Sequence, residues 1–72
     1  MTVSYPHVVE IDGKLLHEVR EWRRLGLFSG ALVLEELWSG RVRVECECLA
    51  DRVRLLLLPG SKGLNRHLYA EP

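Results

Sequence analysis

The stretch that decides the fold runs from Arg41 to Cys48 and reads Arg-Val-Arg-Val-Glu-Cys-Glu-Cys. Charged and apolar side chains alternate along it without exception. Because successive side chains of a β-strand point to opposite faces, this period of two predicts a half-buried strand of an antiparallel sheet. The same phase predicts that Cys46 and Cys48 lie on the buried face.

Two further segments of seven or eight residues flank this strand. Residues 31–38 precede it across Ser39-Gly40, and residues 52–58 follow it across Ala50-Asp51. Short turn dipeptides between segments of strand length are typical of a meander. The sequence therefore predicts a three-stranded meander over residues 31–58.

Two-residue turns fix the register of that meander. Val33 is then predicted to lie opposite Cys46, and Glu36 opposite Arg43, so that apolar side chains meet each other and acids meet bases. Glu35 is the misfit, because it falls on the buried face. A β-bulge at Glu35-Glu36 would relieve it.

The N-terminal part of the chain predicts one more strand and a helix. Residues 7–11 are rich in Val and Ile, which favours a strand that ends at Asp12-Gly13. Asp-Gly is also a hairpin signal, but the apolar residues that follow have helical spacing. We therefore expect a helix over residues 13–25, with Asp12 as N-cap and Gly26 as its C-terminal stop. The apolar stripe of this helix comprises Leu15, Leu16, Val19, Trp22 and Leu25.

These elements predict one α+β domain over residues 1–72. Its order is β-α-β-β-β: a strand at 7–11, a helix at 13–25, the meander at 31–58 and a C-terminal tail at 59–72. We expect a small four-stranded, mainly antiparallel sheet with one helix packed on the cysteine face. With 72 residues, the chain is near the lower size at which one hydrophobic core sustains a fold without disulfides, metal or a partner.

Composition narrows the classes of function. Ten basic and ten acidic side chains give a formal net charge of zero, which removes the long-range positive field of sequence-independent phosphate binding. The first residues are neither basic nor continuously apolar, and the longest apolar run, residues 55–58, is too short to span a bilayer. We therefore expect a cytoplasmic protein with reduced thiols and no membrane association. Eight of the ten basic residues are arginine, a bias reported in some thermophile families.

The predicted register leaves one sheet face unusually apolar. It places four leucines and a tryptophan among charged neighbours on the face that a single helix does not cover. Exposed apolar patches of this kind mark interfaces, and small domains commonly recruit a second subunit. The sequence therefore predicts a homodimer through a "leucine face", with the C-terminal tail as the alternative cover. The leucine face consists of Leu32, Leu34, Trp38, Leu56 and Leu58.

Sites for metals, nucleophiles and nucleotides are not indicated. His17-Glu18-x-x-Glu21 lacks the second histidine of a zinc protease helix. Cys46 and Cys48 could join His7 or His67 at a zinc ion, but the strand phase favours core packing. Residues 59–63 lack the spacing of a phosphate-binding loop. The sequence predicts no cofactor, no metal and no catalytic residue.

One basic cluster offers a second function. The cluster combines side chains of the predicted helix with others near the C-terminus, and it would suit a modest nucleic-acid contact. Nearby glutamates compensate part of its charge, and aromatic side chains that could stack on bases are sparse. We therefore expect a non-enzymatic interaction or regulatory module, with nucleic-acid binding as the alternative. The cluster consists of Arg20, Arg23, Arg24, Lys62 and Arg66.

Overall fold

A computed structural model of the chain describes residues 5–65. The elements are β1 (His7–Asp12), a 3-10 turn (Gly13–Leu15), α1 (Leu16–Arg24), β2 (Leu32–Glu36), β3 (Arg41–Cys46), α2 (Leu49–Leu55) and β4 (Lys62–Asn65). The four strands form one antiparallel sheet in the order β2-β3-β1-β4. The predicted fold class, an α+β protein with a small four-stranded antiparallel sheet, is confirmed.

This β-α-β-β-α-β order, with β1 and β3 at the centre of the sheet, is the split β-α-β or ferredoxin-like connectivity. Each helix connects two strands between which a third strand is inserted. The connectivity is compatible with many activities, so function has to be argued from the surface.

The first strand and the first helix lie where the sequence predicts them. Asp12 begins the helical segment, because its Oδ1 accepts a hydrogen bond from the backbone N–H of Lys14 at 3.0 Å. The first turn is 3-10 rather than α, a common form at helix starts. Gly26 ends the segment with a φ of 78°, a left-handed conformation that favours glycine.

The β2–β3 hairpin differs from the prediction by one residue. Its turn spans the four residues 37–40, closed by a hydrogen bond from Gly40 N–H to the Leu37 carbonyl at 3.1 Å. Leu32 therefore pairs with Cys46, a position predicted for Val33. Since strand side chains alternate, this shift exchanges the two faces of β2. The predicted two-residue register is wrong.

That shift also removes the misfit on β2. Glu35 pairs with Arg43 on the outer face, and their side chains form an ion pair at 3.2 Å. No bulge is needed to keep this carboxylate out of the core. Leu32 and Leu34, which the predicted register placed on the exposed face, point toward the core instead.

The third strand of the predicted meander is a helix. Residues 52–58 were expected to be extended, but α2 covers Leu49–Leu55 and helical turns continue to Leu58 through 3-10-type hydrogen bonds. Asp51, Leu55 and Leu58 are buried at i, i+4 and i+7, which is helical spacing. An apolar run without alternation suits a buried strand and a packed helix equally, and here tertiary packing selects the helix.

The fourth strand comes from the predicted C-terminal tail. Lys62–Asn65 forms β4 and pairs antiparallel with β1, with Gly63 opposite Val9. The remainder of the predicted tail, residues 66–72, lies outside the described residues.

Both helices share a single core with one face of the sheet. The apolar residues that α1 and α2 bury, Val19 and Leu55, belong to the same hydrophobic cluster as the inward side chains of β1, β2 and β3. On the opposite, outer face, Glu10 and Arg41 form an ion pair at 3.0 Å. The buried cluster contains Val9, Ile11, Val19, Leu32, Val42, Val44, Cys46, Leu55 and Leu58.

Candidate interaction surface

The predicted leucine face is not one surface. Leu32 and Leu58 are buried in the core, and Leu34 packs against it. Trp38 is fully exposed in the β2–β3 turn, whereas Leu56 lies at the end of α2 and is partly exposed. The structure therefore corrects the placement of these side chains. These five side chains do not form one interface.

Within residues 5–65, the largest group of exposed apolar side chains close together in sequence belongs to α2 and the turn that continues it. Leu49, Val53 and Leu57 are 56%, 54% and 74% exposed, and Leu56 is 36% exposed. At 100° per residue, these four positions lie on the side of the helix opposite Asp51, Leu55 and Leu58. We call them the α2 stripe. A helix that is hydrophobic on both sides is normally buried on both sides.

The N-terminal end of α2 is anchored to the loop that precedes β2. Asp51 is 1% exposed, and its two carboxylate oxygens accept hydrogen bonds from the backbone N–H groups of Ser29 and Gly30 at 2.7 and 2.8 Å. Glu47 accepts a third bond from the Ala31 N–H at 3.1 Å. Three successive backbone N–H groups thus donate to two carboxylates, and these hydrogen bonds fix α2 relative to the sheet.

Charge at this anchor is stabilised despite burial. Burial alone would raise the pKa of Asp51, but the hydrogen bonds from Ser29, Gly30 and the Cys48 thiol outweigh it and hold the pKa below its ordinary value. The carboxyl group is therefore ionised at neutral pH. It is a structural group, because its oxygens are occupied by neighbours within the chain.

The close approach of the loop to α2 requires a glycine. A Cβ on Gly30 would lie 2.8 Å from the Cys48 sulfur and 3.2 Å from the Glu47 Cβ. Both distances are shorter than ordinary carbon contacts. No pattern in the sequence around Ser29-Gly30 signals this packing role, because it depends on residues 47 and 48 of the folded chain.

The two cysteines occupy different environments. Cys46 is buried in the core as predicted, and burial, helped by the nearby Asp51, raises its pKa to about 12. Cys48 was expected on the same strand face, but β3 ends at Cys46 and Cys48 is the half-buried N-cap residue of α2. Its thiol donates to Asp51 Oδ2 at 3.4 Å, and burial and that bond raise its pKa.

Neither thiol is therefore activated as a nucleophile, since nucleophilic cysteines need a depressed pKa. Across residues 5–65, no three His, Cys, Asp or Glu side chains lie together as metal ligands would.

The predicted basic cluster is divided. Arg20, Arg23 and Arg24 are exposed on α1, which packs on the core face of the sheet. Lys62 pairs with Glu10, whose side chain is on the outer face. Arg66 lies outside the described residues. Arg24 is bound to Glu21 at 2.8 Å, and Arg20 is 3.9 Å from Glu36.

Within the described residues, the outer face of the sheet lacks the features by which some four-stranded sheets bind RNA. RNA-binding four-stranded sheets stack bases on aromatic side chains of their central strands. In β1 and β3, the side chains on this face are Val8, Glu10, Asp12, Arg41, Arg43 and Glu45. None of these six is aromatic, and ion pairs link Glu10 to Arg41 and Glu35 to Arg43.

Comparison of the chain with protein-family models, with curated proteins and with solved structures gives no match. Among the described residues, neither helix has the length and apolar character needed to cross a bilayer.

Proposed function

We propose that this protein is a small, non-enzymatic interaction module that forms a homodimer through the α2 stripe. One observation carries the proposal: α2 buries one side in its own core and presents Leu49, Val53 and Leu57 on the other. Exposed apolar patches on small proteins mark contact sites. In a protein of this size, a second copy also adds hydrophobic area that a single core lacks.

The stripe is complementary to itself. Val53 lies near its middle, with Leu49 one turn before it and Leu57 one turn after it. If two α2 helices pack antiparallel about a two-fold axis at Val53, Leu49 of each copy meets Leu57 of the other. Leu49, Val53 and Leu57 are then matched in an isologous contact. A second copy is therefore the occupant that the spacing favours.

The expected affinity is modest. Fully burying a leucine or valine side chain contributes about 1.5–3 kcal/mol, so half-exposed side chains from two stripes contribute on the order of 5–10 kcal/mol in total. Association costs about 4–15 kcal/mol, which leaves a weak dimer unless further contacts form. The protein concentration in the experiment therefore has to reach the high micromolar range.

Sedimentation velocity of the purified protein from about 1 to 500 μM tests the proposal, in a range chosen to cover micromolar dissociation constants. Wild type should shift from monomer to dimer with concentration. Val53→Glu places a charge at the centre of the stripe and should remain monomeric while its circular dichroism spectrum and melting curve show a folded chain. Arg23→Glu, on the outward side of α1, is the matched control and should dimerise like wild type.

Cross-linking tests the geometry. Because Val53 would lie on the two-fold axis, two Val53→Cys chains should form an intermolecular disulfide under mild oxidation. Arg23→Cys should not. A strictly monomeric wild type at the highest concentration would overturn the homodimer, and dimers that persist in Val53→Glu would move the interface to another surface.

The nucleic-acid alternative retains only the three α1 arginines, two of which have acidic partners.

A cytoplasmic location is part of our proposal. It is supported by two thiols without a disulfide, as expected in a reducing compartment.

A further inference from the structure

A cavity of about 330 Å³ opens where the start of α1 meets the β2–β3 turn. No residue of α2 lines it, so it is independent of the α2 stripe. Its volume falls at the lower end of the range of small-molecule sites. The lining residues include the apolar Leu16, Leu37 and Val42 and the charged Lys14 and Glu36; Arg41 also lines the cavity, but its side chain extends to the outer face of the sheet.

Two glycines hold this cavity in a fixed shape. The backbone N–H of Gly13 donates to the Gly40 carbonyl at 3.0 Å, which joins the 3-10 turn to the hairpin. A Cβ on Gly13 would collide with that carbonyl oxygen, and Gly40 has a φ of 88°. Both positions therefore require glycine, and the cavity exists before any ligand arrives.

The three charged residues at the cavity differ in what their side chains are bound to. Arg41 donates to Glu10 at 3.0 Å and to the Gly60 carbonyl at 3.1 Å, so its guanidinium is held on the outer face of the sheet, away from the cavity. Glu36 is 3.9 Å from Arg20. Lys14 is exposed, and none of the ion pairs found within residues 5–65 involves its ammonium group. Lys14 is therefore the cation available to an incoming anion.

Trp38 lies in the same turn, between two residues that line the cavity. Its side chain is 100% exposed. Tryptophan buries 150–250 Å² in typical protein environments, so a wholly exposed indole in a turn that lines a cavity is available for stacking on a ligand. The backbone of this turn is anchored through Gly40, whose carbonyl accepts from the Gly13 N–H.

We propose that this cavity binds an aromatic carboxylate, with the ring on Leu16, Leu37 and Val42 and the carboxylate at Lys14. Trp38 packs against the exposed side of the ring. A free small acid and the C-terminal aromatic residue of a peptide both carry an aromatic ring and a carboxylate. The volume admits one ring system and leaves no room for a nucleotide.

Titration of the wild-type protein, followed by NMR of the backbone amides and the Trp38 indole N–H, tests the proposal. The probes are 3-phenylpropionate, the neutral 3-phenylpropionamide, and a tripeptide that ends in phenylalanine with a free or an amidated C-terminus. We expect saturable shifts at Gly13, Gly40 and Trp38 with both free acids or with one of them. Saturation by the small acid alone assigns the free-acid source, and tighter binding of the peptide assigns the peptide source.

Two exposed positions supply the variants, and neither contributes to the core. Lys14→Gln should weaken the acid about two- to fivefold, the range of an exposed ion pair, and leave the amide unaffected. Trp38→Ala should weaken acid and amide alike, by about two- to tenfold, the range of an aromatic contact. Absence of saturable shifts up to 20 mM, equal affinity for acid and amide, or shifts centred on α2 would each overturn the proposal.

Discussion

The two helices perform the same task on their inward sides and opposite tasks on their outward sides. Each contributes a fully buried residue to the common core, Val19 from α1 and Leu55 from α2. The outward side of α1 carries charged residues, whereas that of α2 carries Leu49 and Val53. The outward side of α1 is therefore well solvated, whereas the outward side of α2 leaves apolar side chains exposed to water.

The two helices also differ in which residues fix their ends. The α1 segment begins at a local cap on Asp12 and ends at Gly26, so its limits are set by adjacent residues. α2 has no side-chain cap on its first residue, and its position is set by bonds from Asp51 to a loop more than twenty residues away. The limits of α1 are thus local in sequence, whereas the position of α2 depends on the folded chain.

The largest loss of stability should come from substitutions on the inward sides of the two helices. Leu55→Ala removes three buried carbon atoms and should lower the free energy of unfolding by about 2–5 kcal/mol. Val19→Ala removes two and should cost less, about 1–3 kcal/mol. Urea unfolding at one fixed protein concentration measures both. A larger loss for Val19→Ala would mean that α1, and not α2, dominates the core.

The anchor of α2 should have the next largest effect. Asp51→Ala leaves two backbone N–H groups without their acceptors and should cost about 2–4 kcal/mol at pH 7. Asp51→Asn keeps one acceptor oxygen and should cost less. A loss at Asp51→Ala no larger than that of an exposed substitution would show that water replaces the carboxylate.

The same residue predicts a pH dependence. The pKa of Asp51 is lower in the folded chain than in the unfolded one, so ionisation stabilises the fold. This contribution is complete above the unfolded pKa, about 4, and is lost as the pH falls through the lower folded value. Melting temperatures between pH 7 and pH 2 should fall less steeply for Asp51→Asn than for wild type.

The smallest effect should come from the outward side of α1. Glu21 and Arg24 form an exposed ion pair at 2.8 Å, and the hydrogen bond from Arg24 lowers the pKa of Glu21. Such pairs contribute little, because water and salt screen them. Glu21→Gln should leave the melting temperature and the oligomeric state unchanged, in contrast to Val53→Glu. A clear change in the melting temperature or the oligomeric state would show that the outward side of α1 also makes stabilising contacts.

Periodic, locally bounded elements were predictable from the sequence. β3 has a clear period of two and α1 one of 3.6, β1 is rich in Val and Ile, and the Asp12 cap and the Gly26 stop are specified by nearby residues. The alternation in β3 also gave the burial of Cys46 correctly. The antiparallel sheet and the α+β class follow from these elements.

The errors lie where local sequence admits two structures. Residues 55–58 are four leucines in a row, and a run without alternation carries no period. The acid at Asp51, two residues into a segment of good helix formers, was the available signal for a helix start. That Asp51 binds Ser29 and Gly30 could not be known before the topology brought them together.

The four-residue turn at residues 37–40 has a consequence for how this chain can vary. Strand side chains alternate, so the number of residues in the turn acts as a parity setting for β2. Losing or gaining one residue there would turn Leu32 and Leu34 outward and bring Val33 and Glu35 into the core, although no residue of the strand had changed. A change of two residues keeps the parity. Length variants of this turn should therefore be tolerated in steps of two, which is a rule for library design as well as for divergence.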